Sequence, residues 1–273
     1  MPRSNASSSP DTTASYPSPD PSRPTAAVAI HQPNLFPRLS TLAKLYACNT
    51  RIVLDDVQFT RRDYQHRTRL AQLTDPTRTQ WLSIAAHLPD GRATVIGEVL
   101  VAEPERSRRR LALLIEQYYR HSRHWLAIAR VLEATLAAFD ATGRIGAIAE
   151  ASTTALLDEL CWSGQTVMSS GLPSGNGRSE RLGDLAGLVG ATTYLCGTGG
   201  MRYLEPEYFD SRNIGIIPFR TPAEATGEIW ATARRISALW ALATVGPQGL
   251  TQLLSAVAAF NRGLFDLRPV TAY

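Results

Sequence analysis

His31, Asp55, Asp56 and Cys196 are the residues of this chain whose types and surroundings suit proton transfer and nucleophilic chemistry. Each follows directly on a short, largely apolar run. Ala27 to Ile30 leads into His31-Gln32-Pro33-Asn34, Arg51 to Leu54 into Asp55-Asp56-Val57-Gln58-Phe59, and Thr192 to Leu195 into Cys196-Gly197-Thr198-Gly199-Gly200. Such runs read as parallel strands buried on both faces, and the rim beyond their carboxyl ends is where open α/β sheets bind ligands. A thiol with an imidazole in reach is a potential nucleophile. A carboxylate beside that imidazole would set its tautomer and raise its basicity. Consecutive residues in extended chain point to opposite faces, so one of the two aspartates enters the site, with Asp56 preferred. Glycines at 197 and 199 let a ligand approach the backbone, whose N–H groups would hold an oxyanion.

Each of these residues also has a purely structural reading. A loop histidine can simply be satisfied by its neighbours. An aspartate can cap a turn or pair with Arg61 or Arg62, and a cysteine that ends a strand can act as a small apolar residue. Between Gln58 and Arg69, four arginines stand with Gln58, Tyr64 and Gln65; Arg62 and Arg67 could grip a phosphate or carboxylate in two-point fashion, or the segment could be a solvated loop. The Gly-rich stretch Ser174 to Ser179 lacks the Gly-Lys-Ser/Thr ending of a phosphate loop. No metal-ligand spacing is present.

The elements that must position these residues follow from the pattern. The fold expected is α/β, with a Rossmann-like, mostly parallel sheet. A strand at 27–30, a helix near 38–47, a strand at 51–54 and a polar loop over 55–69 come first. Sheet segments at 80–84 and 93–101 follow, then three helices between 104 and 162 as a helical insertion. Strands near 166–169, 192–195 and 214–219 enclose a helix over 180–189 that ends at Gly190, and helices near 223–243 and 248–262 make a C-terminal segment. Residues 1–25, rich in Ser, Pro and Thr, are expected to form a disordered tail; residues 26–222 are the core and 223–273 the C-terminal helices. A chain of 273 residues that is 44% hydrophobic can bury a full core. Its three cysteines are odd in number and widely spaced, which fits a reducing cytoplasm rather than a disulfide framework. No run is long and apolar enough for a membrane span or a signal peptide. The net charge of +4 is carried almost wholly by arginine, since Lys44 is the sole lysine. Arg106, Arg108, Arg109 and Arg110 read as a solvated helix face, and with no aromatic interleaving or known module, nucleic acid is not an expected partner.

His31-Gln32-Pro33-Asn34, Phe36-Pro37, Lys44, Leu54-Asp55-Asp56-Val57-Gln58-Phe59, Gln65, Arg67, Tyr194-Leu195-x-Gly197 and Tyr203-Leu204 together resemble the WbqC-like family, in order and in spacing, from about Ala27 to Phe219. The resemblance implies an aminoacyl or glycine transferase of bacterial glycan or specialised-metabolite biosynthesis. Cysteine at 196 and histidine at 66 depart from the family's usual serine and asparagine. On this basis Cys196 would take an acyl group from a thioester of coenzyme A or of an acyl- or peptidyl-carrier protein. His31 would move the proton and Asp56 would orient it, while Gly197 and Gly199 hold the oxyanion. Gln32, Asn34, Asp55, Gln58, Arg62, Gln65, Arg67 and Tyr203 would position a small amine or sugar substrate. No cofactor beyond the thioester donor is implied. Two other classes remain open: an ATP-dependent amide ligase, since the strand-loop-helix opening distantly resembles nucleotidyltransferase-like proteins although the HxGH and KMSKS-like signatures are missing, and a non-catalytic binding protein of the same pathway.

Overall fold

The computed structural model describes residues 26–175, 177–222 and 228–266; the tail expected over 1–25 and Asn176 of the Gly-rich stretch lie outside them. In chain order the elements are β1 (Ala27–His31), α1 (Leu39–Tyr46), β2 (Thr50–Val53), β3 (Arg67–Ala71), β4 (Thr79–Ser83), β5 (Ala86–His87), β6 (Leu100–Val101), α2 (Pro104–Tyr119), α3 (Trp125–Ala141), α4 (Ile145–Glu159), β7 (Gln165–Met168), α5 (Arg178–Leu188), β8 (Thr193–Cys196), α6 (Glu207–Asp210), β9 (Gly215–Pro218), α7 (Glu228–Ala231) and α8 (Ala238–Asp266). Five strands make the central sheet in the order β7-β2-β1-β8-β9, every neighbour parallel. This is the Rossmann-like arrangement: β1 is central, and the chain reverses its direction of travel across the sheet between β1 and β8, the place where such sheets open a crevice.

Alternation along the strands divides the core. Val28, Ile30, Ile52, Tyr194 and Ile216 pack against α5 and α6, whereas Ala29, Leu195 and Ile217 join the larger core built with α1, α4 and α8. Beneath α4 the guanidinium of Arg51, 2% exposed, pairs with Glu150 at 2.5 Å and reaches Thr154 and Thr166. Burial pushes the Glu150 carboxyl up in spite of that partner. A buried charge needs such a full set of bonds to persist.

Three expectations are corrected. Residues 67–71 are not loop: Thr68 and Leu70 are fully buried while Arg67 and Arg69 face outward, and that alternation makes β3, which pairs antiparallel with β4. The stretch 93–101 is not a single strand but two 3-10 turns around Gly91–Ala93 and Ile96–Glu98, followed by the short β6. Gly97 there lies so close to Asp55 that an added Cβ would sit 3.3 Å from its carbonyl oxygen. Finally, the helix expected over 223–243, of which residues 223–227 lie outside the described residues, is interrupted between α7 (Glu228–Ala231) and the start of α8 at Ala238, whereas the break expected between it and the helix near 248–262 is present at Gly246 (φ 73), just before Pro247. The helix ending at Gly190 does close on a left-handed glycine (φ 67).

Candidate functional site

The β1 exit is held from several directions. Phe36, fully buried, adopts φ 42, a left-handed conformation rare for a large side chain. Its N–H donates to Ser152 Oγ and its carbonyl accepts from Thr68 and Ser237. Thr153 Oγ1 donates to the Asn34 carbonyl at 3.0 Å, and Leu35 N–H to Tyr64 O at 2.9 Å. Backbone strain of this kind lasts only where the surroundings over-determine it. The loop therefore presents His31, Gln32 and Asn34 with little freedom. His31 is half-buried, and its Nε2 is shut off from solvent without a hydrogen-bond partner. Its pKa is lowered well below the usual imidazole value by burial, then by the Lys44 and Arg38 cations; a hydrogen bond with the Asn34 side chain acts the other way and is outweighed. A cavity of about 10 Å³, room for about one water, adjoins His31, Gln32 and Asn34 and reaches Arg51 and Glu150.

The two aspartates are engaged elsewhere. Asp55 accepts from Ser170 N–H (3.0 Å) and Ser170 Oγ (2.7 Å), and Ser169 Oγ sits between both carboxylates. Asp56 is also paired with Arg181 of α5. Neither aspartate orients His31, and neither pairs with Arg61 or Arg62; the expected carboxylate–imidazole contact gives way to a clamp between the β2 and β7 exits. Ser169, Ser170 and Arg181 were not anticipated, although Met168-Ser169-Ser170 is itself a polar strand exit of the kind that marked the other loops.

Cys196 and His31 are on adjacent strands but do not meet. The β1–β8 register matches Ala27 with Thr193 and Val28 with Tyr194. Two residues further on, Ile30 lies beside Cys196, and both belong to the α5 face of the sheet. His31, one residue on, turns to the opposite face, so the expected Cys196–His31–Asp56 relay is not assembled. Cys196 is 1% exposed. Burial raises its thiol pKa, with Lys44 and the Tyr194 hydroxyl acting in the other direction. In the loop beyond, the Gly200 and Met201 N–H groups turn back onto the Gly197 carbonyl. Gly197 is half-buried, while Thr198, Gly199 and Gly200 are exposed.

Between the two exits stands Lys44, in the last turn of α1 and 7% exposed. Its Nζ donates to Ile30 O at 3.1 Å and would lie 4.0 Å from a Cβ placed on Gly197. Burial lowers its pKa. Apart from the family resemblance, the signal in the sequence was its uniqueness within an apolar helix, LSTLAKLY.

The Gln58–Arg69 segment serves mainly to hold its own shape. Gln65, fully buried, accepts from Thr60 N–H and donates to Gln32 Oε1 at 2.9 Å, so it fixes Gln32. Gln58 donates to Arg92 O. Arg67 bonds the carbonyls of Asp63 and Arg62 and lies over the Trp81 ring, 4.5 Å from its centre. Arg62 itself is exposed. Tyr203, 61% exposed, is covered by Arg178. In the Gly-rich stretch, Gly175 N–H donates to Asp184 and the Glu180 carboxylate crowds Gly177, so carboxylates fill the places a phosphate would need. Among the described residues, no group of three or more His, Cys, Asp or Glu is arranged to hold a metal, and no helix is long and apolar enough to cross a membrane. A groove between β4 and α2, lined by Arg106, Arg109, Arg110 and Leu113, contains none of the strand-exit residues.

The sequence model that describes the WbqC-like protein family matches residues 32–224. No curated protein and no solved structure matches the chain.

Proposed function

The chain belongs to the WbqC-like protein family, and from that premise we propose that it transfers an acyl or aminoacyl group from a thioester to an amine of a sugar or metabolite, with His31 as general base. The observation that carries the reading is the His31 imidazole, held neutral at the end of the central strand with an unpartnered Nε2. A neutral imidazole can accept a proton at physiological pH. The amine nitrogen attacks the thioester carbonyl, forming the N–C bond. The proton of the resulting cationic nitrogen reaches His31 Nε2, which is closed off from bulk solvent, through the single water that the small cavity beside it could hold; the C–S bond breaks, and the proton passes to the departing thiolate. The proton leaves a strongly acidic ammonium at that stage, so even a weakly basic imidazole suffices.

Transfer is direct in this reading. A thiol raised in pKa and turned away from the imidazole is a poor nucleophile, which argues against an acyl group resting on Cys196. Gln32, beside His31 on the same braced loop, is the amide that would orient the reactants, whereas Asn34 is buried, donates from Nδ2 to the Pro33 carbonyl at 2.9 Å and bonds the His31 side chain, so it would hold the imidazole instead. The donor is a thioester of coenzyme A or of a carrier protein, and the setting is glycan or specialised-metabolite biosynthesis in the bacterial cytoplasm.

The test is turnover and intact mass with aminoacyl thioesters and a panel of amino sugars. His31→Gln should lower transfer about 10²-fold or more, while Cys196→Ala keeps it within a few-fold and no protein adduct accumulates. An adduct that disappears in Cys196→Ala would refute direct transfer. Release of AMP or pyrophosphate with a free carboxylic acid and ATP would replace the reading with a ligase.

A further inference from the structure

We infer that Lys44 is the cationic centre of an oxyanion-binding site at the junction of β1 and β8, which takes a carboxylate or phosphate group of the substrate. The inference rests on the proposed function only in treating this rim as the substrate site.

An ammonium taken out of water is costly unless it is paired and fully hydrogen-bonded. Lys44 is buried, and its one hydrogen bond to a protein acceptor among the described residues goes to the Ile30 carbonyl, although Nζ carries three donors. No carboxylate among the described residues lies within ion-pair reach of it. The titratable groups that face it are His31 from β1, Cys196 from β8 and Cys48 just beyond α1. All three are neutral near pH 7, because burial lowers the imidazole pKa and raises both thiols, Cys48 to about 12. The acids at the β2 exit and on α4 are engaged with other partners: Asp55 and Asp56 with Ser169, Ser170 and Arg181, and Glu150 with Arg51. The charge on Lys44 is thus uncompensated within the described protein.

Geometry then says where an anion bound to Lys44 would sit. Nζ lies at the carboxyl edge of the central strand, beside Gly197, where the absence of a side chain leaves the backbone open toward it. Immediately beyond, Thr198 to Gly200 are exposed, and a Cβ at Gly199 would meet nothing within 4 Å. A small anionic group entering past this loop would meet the ammonium and a glycine backbone together, a combination that suits oxyanions.

A single lysine makes the test direct. Full-length protein labelled with carbon-13 at lysine Cε has one such resonance, which is titrated with pH at constant ionic strength in chloride alone, with inorganic phosphate, and with acetate. An anion that binds the ammonium form raises the titration midpoint, and tenfold tighter binding to that form corresponds to about one pH unit. The expected result is a saturable shift of the resonance and a midpoint raised by about that much in at least one arm. Acetate alone would identify a carboxylate site, phosphate alone a phosphate site, and both a general oxyanion site. A resonance unmoved by either anion overturns the inference. Because the readout needs no turnover, failure here is distinct from failure of His31→Gln to abolish transfer.

Discussion

Replacing Lys44 by methionine should make the protein more stable, the reverse of the usual effect of a core substitution. The two side chains are similar in length, and methionine adapts readily to an apolar slot. The variant loses the charged hydrogen bond to Ile30 O, about 1.5–3 kcal/mol, and the favourable placement of a cation in the last turn of α1, about 0.3–1 kcal/mol. Against this stands the desolvation of an unpaired ammonium in a site only 7% exposed, several kcal/mol for an ion in a real protein. The methionine also buries its apolar surface without opposition. The balance is a gain of about 1–3 kcal/mol at pH 7, and at about 2–4 °C per kcal/mol for a chain of this size the melting temperature rises by several degrees. The sign of the pH dependence gives a second check. Because the folded-state pKa of Lys44 lies below its ordinary value of 10.5, wild-type stability increases as pH rises from the lowered value toward 10.5. The advantage of Lys44→Met should therefore shrink over that range. The buried Tyr119 and Tyr194 hydroxyls titrate equally in both proteins and cancel in the difference. Urea unfolding followed by circular dichroism at pH 7 and at pH 10 measures both quantities. A variant less stable than wild type by more than about 1 kcal/mol at pH 7, or a difference that does not vary with pH, would refute the reasoning.

Two further outcomes are expected. A Cβ at position 200 would lie 2.8 Å from the buried Cys196 Sγ, so Gly200→Ala should destabilise by about 1–3 kcal/mol; Cys196→Ala in the same chain should restore about 1 kcal/mol or more, read from a double-mutant cycle in urea, and an additive cycle would place the loop elsewhere. His31 has a folded-state pKa below its unfolded value of 6.5, so its contribution to stability is lost as pH falls below 6.5 toward the lowered value. His31→Gln should flatten the acid limb of the stability profile between pH 7 and pH 5, and an unchanged limb would contradict the burial of its ring.

Much of the frame was legible because buried parallel strands announce themselves. Ala27 to Ile30 is apolar on both faces, and the segments near 166–169, 192–195 and 214–219 sit within a residue or so of β7, β8 and β9. The position of β8 beside β1 followed from the logic of doubly wound sheets. What escaped depends on register or on remote partners. The alternation of Arg67-Thr68-Arg69-Leu70 is visible in retrospect, but β3 forms because β4 pairs with it. Whether His31 and Cys196 share a face is a question of parity, decided by an offset that pairs Val28 with Tyr194; a one-residue slip would reverse it. The serine clamp on Asp55 and Asp56 joins positions more than a hundred residues apart, a distance over which a single sequence carries no pairing signal.

Why the rim keeps a charged lysine at all has an answer in the order of the strands. β2 and β7 lie on one side of β1, and their exits carry Asp55, Asp56, Ser169 and Ser170, locked together and closed off by Arg181. β8 lies on the other side, and its exit carries glycines, a neutral thiol and no acid before Glu205. Lys44 sits against the boundary, bonded to the carboxyl-end backbone of β1. With those acids engaged by serines and Arg181 and no acid acting on Lys44, the end of the central strand carries a neutral imidazole and a lysine without an acidic partner among the described residues beside each other. In the proposed transfer, the cation would seat the charge of an anionic amine substrate and the imidazole would take its proton.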